Sequence, residues 1–106
     1  MKKYRVIVVP RAQQDLKAHL DYIKKEFKNP QAAQNVYDDF VETKKALALT
    51  AESMQEPSSE ILKQRGLKRI NFRNHGYFML FCIFDGVVRI TNIFHDLEDY
   101  ERKLNE

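Results

Sequence analysis

The strongest constraint on the fold of this chain is an apolar run, YFMLFCIF, at Tyr77–Phe84. A strand that is apolar on both faces has to be covered on both sides, which predicts a central place in a sheet. The run follows an Asn-His-Gly turn and precedes Asp85-Gly86, a dipeptide that strongly indicates a two-residue hairpin turn. These signals predict a meander of antiparallel strands, with the outer strands at about 67–73 and 87–94.

The N-terminal half predicts one strand and two helices. The β-branched segment YRVIVV, at 4–9, indicates the strand, and apolar residues then recur at steps of three and four positions, as on one face of a helix. They are Ala12, Leu16, Leu20, Ile23 and Phe27 on the first helix and Ala33, Val36, Tyr37, Phe40, Val41 and Leu47 on the second, which extends to about residue 49. Asn29 can cap the second helix, with Pro30 at its first position, and the short connection requires an antiparallel helix hairpin.

A last short helix is predicted at 96–104, with Leu97, Tyr100 and Leu104 on one face. The order of strand, helix hairpin, meander and short helix predicts an α+β fold of two layers. The chain has 106 residues, of which 43% are hydrophobic and 31% charged. This length and composition fit one folded domain over residues 1–106.

Composition also limits the classes of function. One cysteine, Cys82, and three scattered histidines offer no metal-ligand spacing and no internal disulfide. We therefore expect no metal, no cofactor and a reducing, cytoplasmic location. The apolar segment near the N-terminus is too short for a signal peptide, and no stretch has the length of a membrane helix, so no membrane association is expected.

Positive charge is concentrated in one segment, although the net charge is only +3. Between residues 61 and 80 the chain has no acid, and its cations there form what we call the basic stripe: Lys63, Arg65, Lys68, Arg69 and Arg73. Because residues two apart on a strand share a face, Arg69, Asn71 and Arg73 are predicted to lie together and to meet phosphate or an acidic protein. Arg89 could join them or pair with a carboxylate. A solvated face without function is the plain alternative.

Several short motifs, in their order and spacing, resemble the RelE/ParE superfamily of toxins from bacterial type II toxin–antitoxin systems. They are Y-x-V on the first strand, A-x-x-DL and YI on the first helix, NP-x-AA at 29–33, G-x-x-R at 66–69, GY at 76–77, the V-x-I-x-x-I-x-H run at 88–95 and the acid Asp99. The resemblance implies a small antiparallel sheet backed by a helix hairpin. It also implies a cognate antitoxin that wraps the toxin and blocks it.

The superfamily has two branches with different activities. The resemblance implies either ribosome-dependent cleavage of mRNA, as in RelE-like members, or inhibition of DNA gyrase without a hydrolytic site, as in ParE-like members. A member that only binds its antitoxin and represses their operon is a third alternative. Whether the chain is an enzyme therefore stays open.

This sequence lacks some of the basic residues that RelE-like enzymes use to cleave RNA. RelE-like enzymes carry alternate basic residues on the second strand and an Arg after the Tyr of the third strand. Arg69 matches the first of these positions, but Asn71 and Phe78 stand at the other two, which weakens stabilisation of a phosphate in the transition state. If the chain is a ribonuclease, the candidate catalytic residues are Arg69, Arg73, His95 and Tyr100, with His75 as a further candidate for acid–base catalysis.

The missing cations favour the ParE-like branch, with gyrase inhibition ahead of RNA cleavage. An exposed sheet edge and an apolar groove between sheet and helices are suited to an amphipathic partner helix or an added strand, and we expect an acidic antitoxin tail on the basic stripe. Other candidate surfaces are Arg89 and the lysines of the helix hairpin, namely Lys17, Lys24, Lys25, Lys28 and Lys44. The alternative for these lysines is that they only keep the helices soluble. A homodimer and a toxin–antitoxin hetero-oligomer are both compatible with the sequence.

Overall fold

The computed structural model describes residues 3–105. Its elements, in chain order, are β1 (Arg5–Val8), α1 (Pro10–Phe27), α2 (Pro30–Thr50), α3 (Glu60–Gln64), β2 (Lys68–Asn71), β3 (Tyr77–Phe84), β4 (Val87–His95) and α4 (Tyr100–Leu104), with a 3-10 turn at Ala51–Ser53. The predicted α+β class is confirmed, with a helix hairpin between the first strand and the antiparallel meander.

The strands form one mixed sheet in the order β1-β4-β3-β2. The meander is antiparallel, as the turn signals predict, whereas β1 pairs in parallel with β4. β3 is paired on both sides, and a bulge interrupts its ladder with β4 between Leu80 and Phe81. Asp85 and Gly86 have φ angles of 53° and 75°. Two successive positive φ angles are what a type I′ turn requires, so the predicted hairpin is confirmed.

The helix hairpin covers one face of the sheet. The side chain of Asn29 accepts a hydrogen bond of 3.1 Å from the Ala32 amide at the start of α2, and Pro30 is the first helical residue, as predicted. Most residues of the two helix stripes are buried with one side of the strands, in a core that includes Ala12, Leu16, Ile23, Ala33, Val36, Phe40, Leu47, Met79, Phe81, Val88, Ile90 and Ile93. The predicted stripe residues Phe27 and Tyr37 are the exceptions, with 67% and 42% of their surface exposed. Each large side chain removed from water stabilises the fold by about 1.5–3 kcal/mol, so this core dominates stability.

The opposite face of the sheet is partly covered by α3 and α4. A second apolar cluster there consists of Leu62, Leu67, Phe78, Leu80 and Phe94, with Tyr100 and Leu104 packed against it. β3 therefore supplies Met79 and Phe81 to one face and Phe78 and Leu80 to the other. The central, doubly covered position predicted for this strand is confirmed.

Two predicted boundaries are wrong. β2 ends at Asn71 rather than at residue 73, because the amides of Arg73 and Asn74 turn to the carboxylate of Asp39 on α2. The last helix begins only at Tyr100, because residues 96–98 form a turn and a bend and Asp99 is the N-cap.

In the turn before α4, Glu98 accepts a hydrogen bond from the His95 amide, and Asp99 caps α4 by accepting one from the Arg102 amide. Leu97 is consequently 89% exposed and does not share a buried face with Tyr100 and Leu104.

The sequence pattern predicts no helix between residues 50 and 67, but the structure has the short helix α3 there. Its N-cap is Ser59, whose hydroxyl accepts a hydrogen bond from the Leu62 amide. Leu62 is almost fully buried in the second apolar cluster. This short helix therefore depends on burial of one leucine rather than on a repeated apolar pattern.

Candidate functional site

Arg69 is the centre of the candidate site that the sequence predicts, and its guanidinium is contacted by other side chains. Its central carbon lies 3.7 Å from the centroid of the Phe78 ring and 5.9 Å from that of Tyr100. Its Nε donates a hydrogen bond of 2.9 Å to Asn71 Oδ1, and its Nη2 lies 3.5 Å from Asp96 Oδ1. We call these five residues the Arg69 cluster. The only cation of this cluster, the Arg69 guanidinium, is thus already stacked on Phe78 and paired with Asp96.

A groove runs past the Arg69 cluster at the β2 edge of the sheet. It has a volume of about 580 Å³ and is lined by Arg69, Asn71, Tyr100, Leu62 and the segment 53–59. Its lining includes one cation, Arg69, and one acid, Glu56. Asn71 stands where a second cation is needed for phosphate chemistry, so it offers an amide instead of a charge.

The rest of the basic stripe does not converge on this groove. Lys68 Nζ donates a hydrogen bond of 3.0 Å to the Met54 carbonyl, and alternation along β2 places this lysine on the face opposite to Arg69. Lys63 lies 3.7 Å from Glu60, and Arg65 donates a hydrogen bond of 3.3 Å to Asn105.

Arg73 and Arg89 are also separate from the Arg69 cluster. Arg73 lies beyond the end of β2, so the predicted alternation with Arg69 and Asn71 does not extend to it. Arg89 on β4 pairs with Cys82 on β3, whereas Arg69 pairs with Leu80. The structure therefore brings together Arg69, Asn71 and Tyr100 from the sequence-predicted residues.

The Arg69 side chain also faces away from the helix hairpin, since it packs on Phe78 in the second apolar cluster. Arg69 therefore adds no charge to the apolar groove that the sequence predicts between sheet and helices. The reason is the parity of β2: Ile70 packs against the core under the hairpin, so its neighbours on the strand point to the other face.

His95 is fixed by structural contacts. Its Nδ1 accepts a hydrogen bond of 3.1 Å from the Leu97 amide, and its ring meets Tyr77 edge to face at 4.9 Å. A Cβ at Gly76 would lie 3.3 Å from Asp96 Oδ2, so the absence of a side chain there permits the close approach of this turn. His95 shares no contact with Arg69 or Tyr100 in the part of the chain that the structure describes, so these candidates do not form one site.

Sequence reasoning missed a polar cluster where α1 meets the end of β4. Asp15 Oδ2 accepts a hydrogen bond of 3.0 Å from the Ile93 amide, and His19 Nε2 lies 3.0 Å from the Ile93 carbonyl. A carbonyl can only accept, so Nε2 of His19 is the donor. β1 has ended before this point, and two side chains of α1 take its place at the edge of β4. The signal in the sequence was the spacing of Asp15 and His19, four positions apart on one helix face.

Glu98 completes this polar cluster. Its Oε1 accepts the His95 amide at 2.9 Å and lies 3.5 Å from His19 Nε2, while its Oε2 lies 2.5 Å from Lys103 Nζ. Burial raises the pKa of Glu98, but the bonds from the His95 amide and Lys103 outweigh burial and leave the pKa below its usual value. Glu98 is thus held as an anion that fixes the turn before α4.

A second missed cluster is centred on Asp39 of α2, whose side chain is only 1% exposed. Its Oδ1 accepts the Arg73 amide at 3.2 Å, and its Oδ2 accepts the Asn74 amide at 2.9 Å and His75 Nδ1 at 2.7 Å. Burial raises the pKa of Asp39, yet these three donors outweigh it and hold the pKa below its usual value. Asp39 therefore fixes the β2–β3 turn and with it the side chain of His75.

Neither of these clusters is a metal site. Within residues 3–105 no group of three or more His, Cys, Asp and Glu side chains is arranged to hold a metal ion. Over the same residues no helix combines the length and the apolar character needed to cross a membrane.

Comparison with known structures supports the fold. A structure described as the chromosomal ParDE toxin–antitoxin system from P. aeruginosa aligns with a TM-score of 0.74 and 20% identity, covering 90% of this chain and 98% of that chain. The toxin–antitoxin complex RelBE2 from Mycobacterium tuberculosis aligns with a TM-score of 0.57 and 21% identity, covering 88% of this chain and 98% of that chain. At these identities the likeness concerns the fold.

Comparison at the level of sequence places the chain in a family. No curated protein sequence matches the chain significantly. A sequence family described as the ParE toxin of the type II toxin–antitoxin system parDE matches residues 6–100, which is most of the chain. The chain therefore belongs to the ParE toxin family of type II toxin–antitoxin systems.

Proposed function

We propose that this toxin arrests bacterial growth by binding and inhibiting DNA gyrase, and that a cognate antitoxin keeps it inactive. The proposal is supported by the surroundings of Arg69, which lacks neighbouring cations and already contacts an acid. At the three positions where the ribonuclease pattern has cations on β2 and β3, this chain has Arg69, Asn71 and Phe78. The one remaining guanidinium stacks on Phe78 and is paired with Asp96.

The Arg69 cluster is poorly suited to cleave RNA. A guanidinium that already faces a carboxylate offers less net charge to a phosphate, and each missing donor in a transition-state site typically lowers kcat by about 10²–10³. Inhibition by binding requires a surface but no acid–base pair. It is therefore compatible with a His95 that is committed to the Leu97 amide and the Tyr77 ring.

The test places two assays side by side with the purified toxin: DNA supercoiling by gyrase, and cleavage of a message bound to ribosomes. We expect supercoiling to be inhibited, the message to stay intact, and antitoxin to restore supercoiling. Cleavage of the message together with normal supercoiling by gyrase would contradict the proposal.

Ribosome-dependent RNA cleavage is the second candidate, and the groove of about 580 Å³ beside Arg69 and Tyr100 favours it. If this groove is a ribonuclease site, Arg69→Ala and Tyr100→Phe should each abolish message cleavage. Asp96→Asn should raise it, because the substitution removes the carboxylate that competes for the guanidinium. Lys63→Ala is the matched control, since Lys63 pairs with Glu60 and does not line the groove.

A member that binds its antitoxin without being toxic is the remaining alternative. Expression of the toxin without antitoxin separates it from the other two, because only this alternative predicts normal growth. Growth arrest with DNA damage supports gyrase as the target, and growth arrest with cut messages supports the ribosome.

A further inference from the structure

We infer that the toxin binds gyrase with the part of its sheet that faces away from the helix hairpin and that α3 and α4 leave uncovered. The matching patch on gyrase presents carboxylates beside apolar side chains. Because the partner is the gyrase of the proposed function, the inference rests on that function and adds the surface that performs it.

Strand parity and register define this surface, which we call the open sheet face. Val6 of β1 and Val88 of β4 pack toward the core under the hairpin, so their neighbours on both strands point to the other side. On β3, Cys82 packs beside the second apolar cluster, and Phe84 lies two positions further along the same strand face. The residues form two rows across β1, β4 and β3, with Arg5, Val87 and Phe84 in one row and Ile7, Arg89 and Cys82 in the next.

The open sheet face is apolar but not covered. α3 and α4 pack on Phe78, Leu80 and Phe94, which lie toward the other end of the same side of the sheet. Phe84 is consequently 66% exposed, and Ile7, Val87 and Cys82 are half-buried. Apolar side chains that lie together on an exposed surface are a common mark of an interaction site.

The charge of the open sheet face favours an acidic partner. Arg89 lies between Ile7 and Cys82 in its row, and Arg5 is exposed at the sheet edge. Neither arginine has an ion-pair partner within residues 3–105, and β1, β3 and β4 contain no Asp or Glu. Arg69, in contrast, already faces Asp96. A partner carboxylate at Arg89 would therefore supply a contact that the described residues lack.

The mixture of residue types favours a protein over two other occupants. Interfaces with nucleic acid are much more polar than this surface, where four of the six residues are apolar. A second copy of the toxin, packed face to face, would repeat the same patch and bring Arg5 and Arg89 near the same arginines. Arginine and aromatic side chains beside aliphatic ones are typical of the centre of a protein–protein interface.

The experiment uses the full-length toxin and immobilised purified gyrase, with affinity measured over a salt series. Arg89→Gln should weaken binding about tenfold and reduce its salt dependence, because a charge contact is lost. Phe84→Ser should also weaken binding about tenfold, but without a change in salt dependence, because only apolar contact is lost. Both variants should raise the toxin concentration that half-inhibits supercoiling by the same factor as they weaken binding.

Two matched controls make the same chemical changes elsewhere. Lys25→Gln removes one charge from an exposed position of the helix hairpin, and Leu97→Ser removes an apolar side chain that is 89% exposed in the turn before α4. Each should leave the affinity for gyrase within about twofold of wild type. Circular dichroism checks that every variant is folded, and Arg5→Gln, at an exposed position, makes the same charge test if Arg89→Gln does not fold.

The outcomes separate the open sheet face from the proposed function. A wild-type toxin that neither binds nor inhibits gyrase contradicts both. If the wild type inhibits gyrase and the substitutions on the open sheet face act no more strongly than their controls, only the surface is wrong.

The two other occupants are tested with the same proteins. Fluorescence anisotropy measures binding of labelled DNA without gyrase, and analytical ultracentrifugation measures the oligomeric state. We expect no difference between wild type and variants in either measurement. DNA binding that Arg89→Gln weakens, or a wild-type dimer that Phe84→Ser dissociates, would assign the open sheet face to that occupant and overturn the inference.

Discussion

Asp15 on α1 and Asp39 on α2 both join the helix hairpin to the sheet through backbone amides, but their surroundings differ. Asp39 receives three hydrogen bonds, from the Arg73 and Asn74 amides and from His75. Asp15 receives one, from the Ile93 amide, and has Arg11 at 3.6 Å. Burial raises the pKa of both carboxyl groups. In Asp39 the donors reverse this effect, and in Asp15 the pKa stays raised.

The comparison shows that a carboxylate between helix and sheet is favoured as an anion only when enough donors surround it. At Asp39 the charge itself contributes to stability, because three donors need both oxygens. At Asp15 the hydrogen bond from the Ile93 amide stabilises the fold. The negative charge is disfavoured there, because burial and the nearby Glu98 both raise the pKa of Asp15. Equal residue types in similar places should therefore respond differently to the same substitution.

The largest effect is expected for Asp39→Asn. An amide has one acceptor oxygen, and its NH₂ group would face a backbone donor, so at least one of the Arg73 and Asn74 amides loses its acceptor. We expect a loss of about 3 kcal/mol in the free energy of unfolding at pH 7, measured by urea denaturation with an unchanged m value. Asp15→Asn is the matched control. Equal losses for the two variants would remove the distinction between the two sites.

Acid should show the next largest difference. The folded pKa of Asp39 is lowered, so the stability that its charge contributes is complete above the unfolded pKa of about 3.9 and is lost as pH falls through the folded value. Wild type should therefore lose stability below about pH 4, and Asp39→Asn should lose less over the same range. Urea unfolding at a series of pH values measures this. Parallel pH profiles for the two proteins would show that another carboxylate is responsible.

Much of the fold could be predicted because its signals are local. The doubly apolar β3, the Asp85-Gly86 turn and the Asn29 cap each depend on residues close in sequence, and all are confirmed. The end of β2 and the start of α4 could not be predicted in this way. They are set by the Asp39 carboxylate and by the turn that Glu98 and Asp99 form, where side-chain acceptors compete with the backbone ladder.

The candidate site was less predictable than the fold, because it also depends on contacts between residues that are distant in the sequence. Arg69 and Asn71 could be placed on one face from strand parity, and Asn71 does contact Arg69. The pairing of Arg69 with Asp96 could not be read from the sequence, because it depends on how the turn after β4 packs beside β2. Likewise, Asp15 and Ile93 are 78 positions apart, and only the folded sheet brings them together.

A smaller effect is expected for His75→Ala. The imidazole is one of the three donors to Asp39, and its side chain is 33% exposed, so water can replace part of the hydrogen bond. We expect a loss of about 1 kcal/mol at pH 7 and a higher midpoint for the acid-induced loss, because the pKa of Asp39 moves back toward its usual value. A double-mutant cycle with Asp39→Asn tests the mechanism. If His75→Ala costs as much in the Asp39→Asn background, the imidazole acts through some other contact.

The smallest effect is expected for Asp15→Asn. The amide oxygen can accept the hydrogen bond from the Ile93 amide, and its NH₂ group can lie toward Arg11, where the side chain is exposed. The folded pKa of Asp15 is raised, so its contribution is complete below the unfolded value of about 3.9 and is lost as pH rises through the folded value. The variant should therefore be less stable than wild type by under about 1 kcal/mol at pH 3, and the difference should shrink or change sign at pH 7. Asp15→Ala, which removes the acceptor as well, separates hydrogen bond from charge. It should be destabilising at both pH values, because the Ile93 amide would lose its partner at the edge of β4 where β1 no longer reaches.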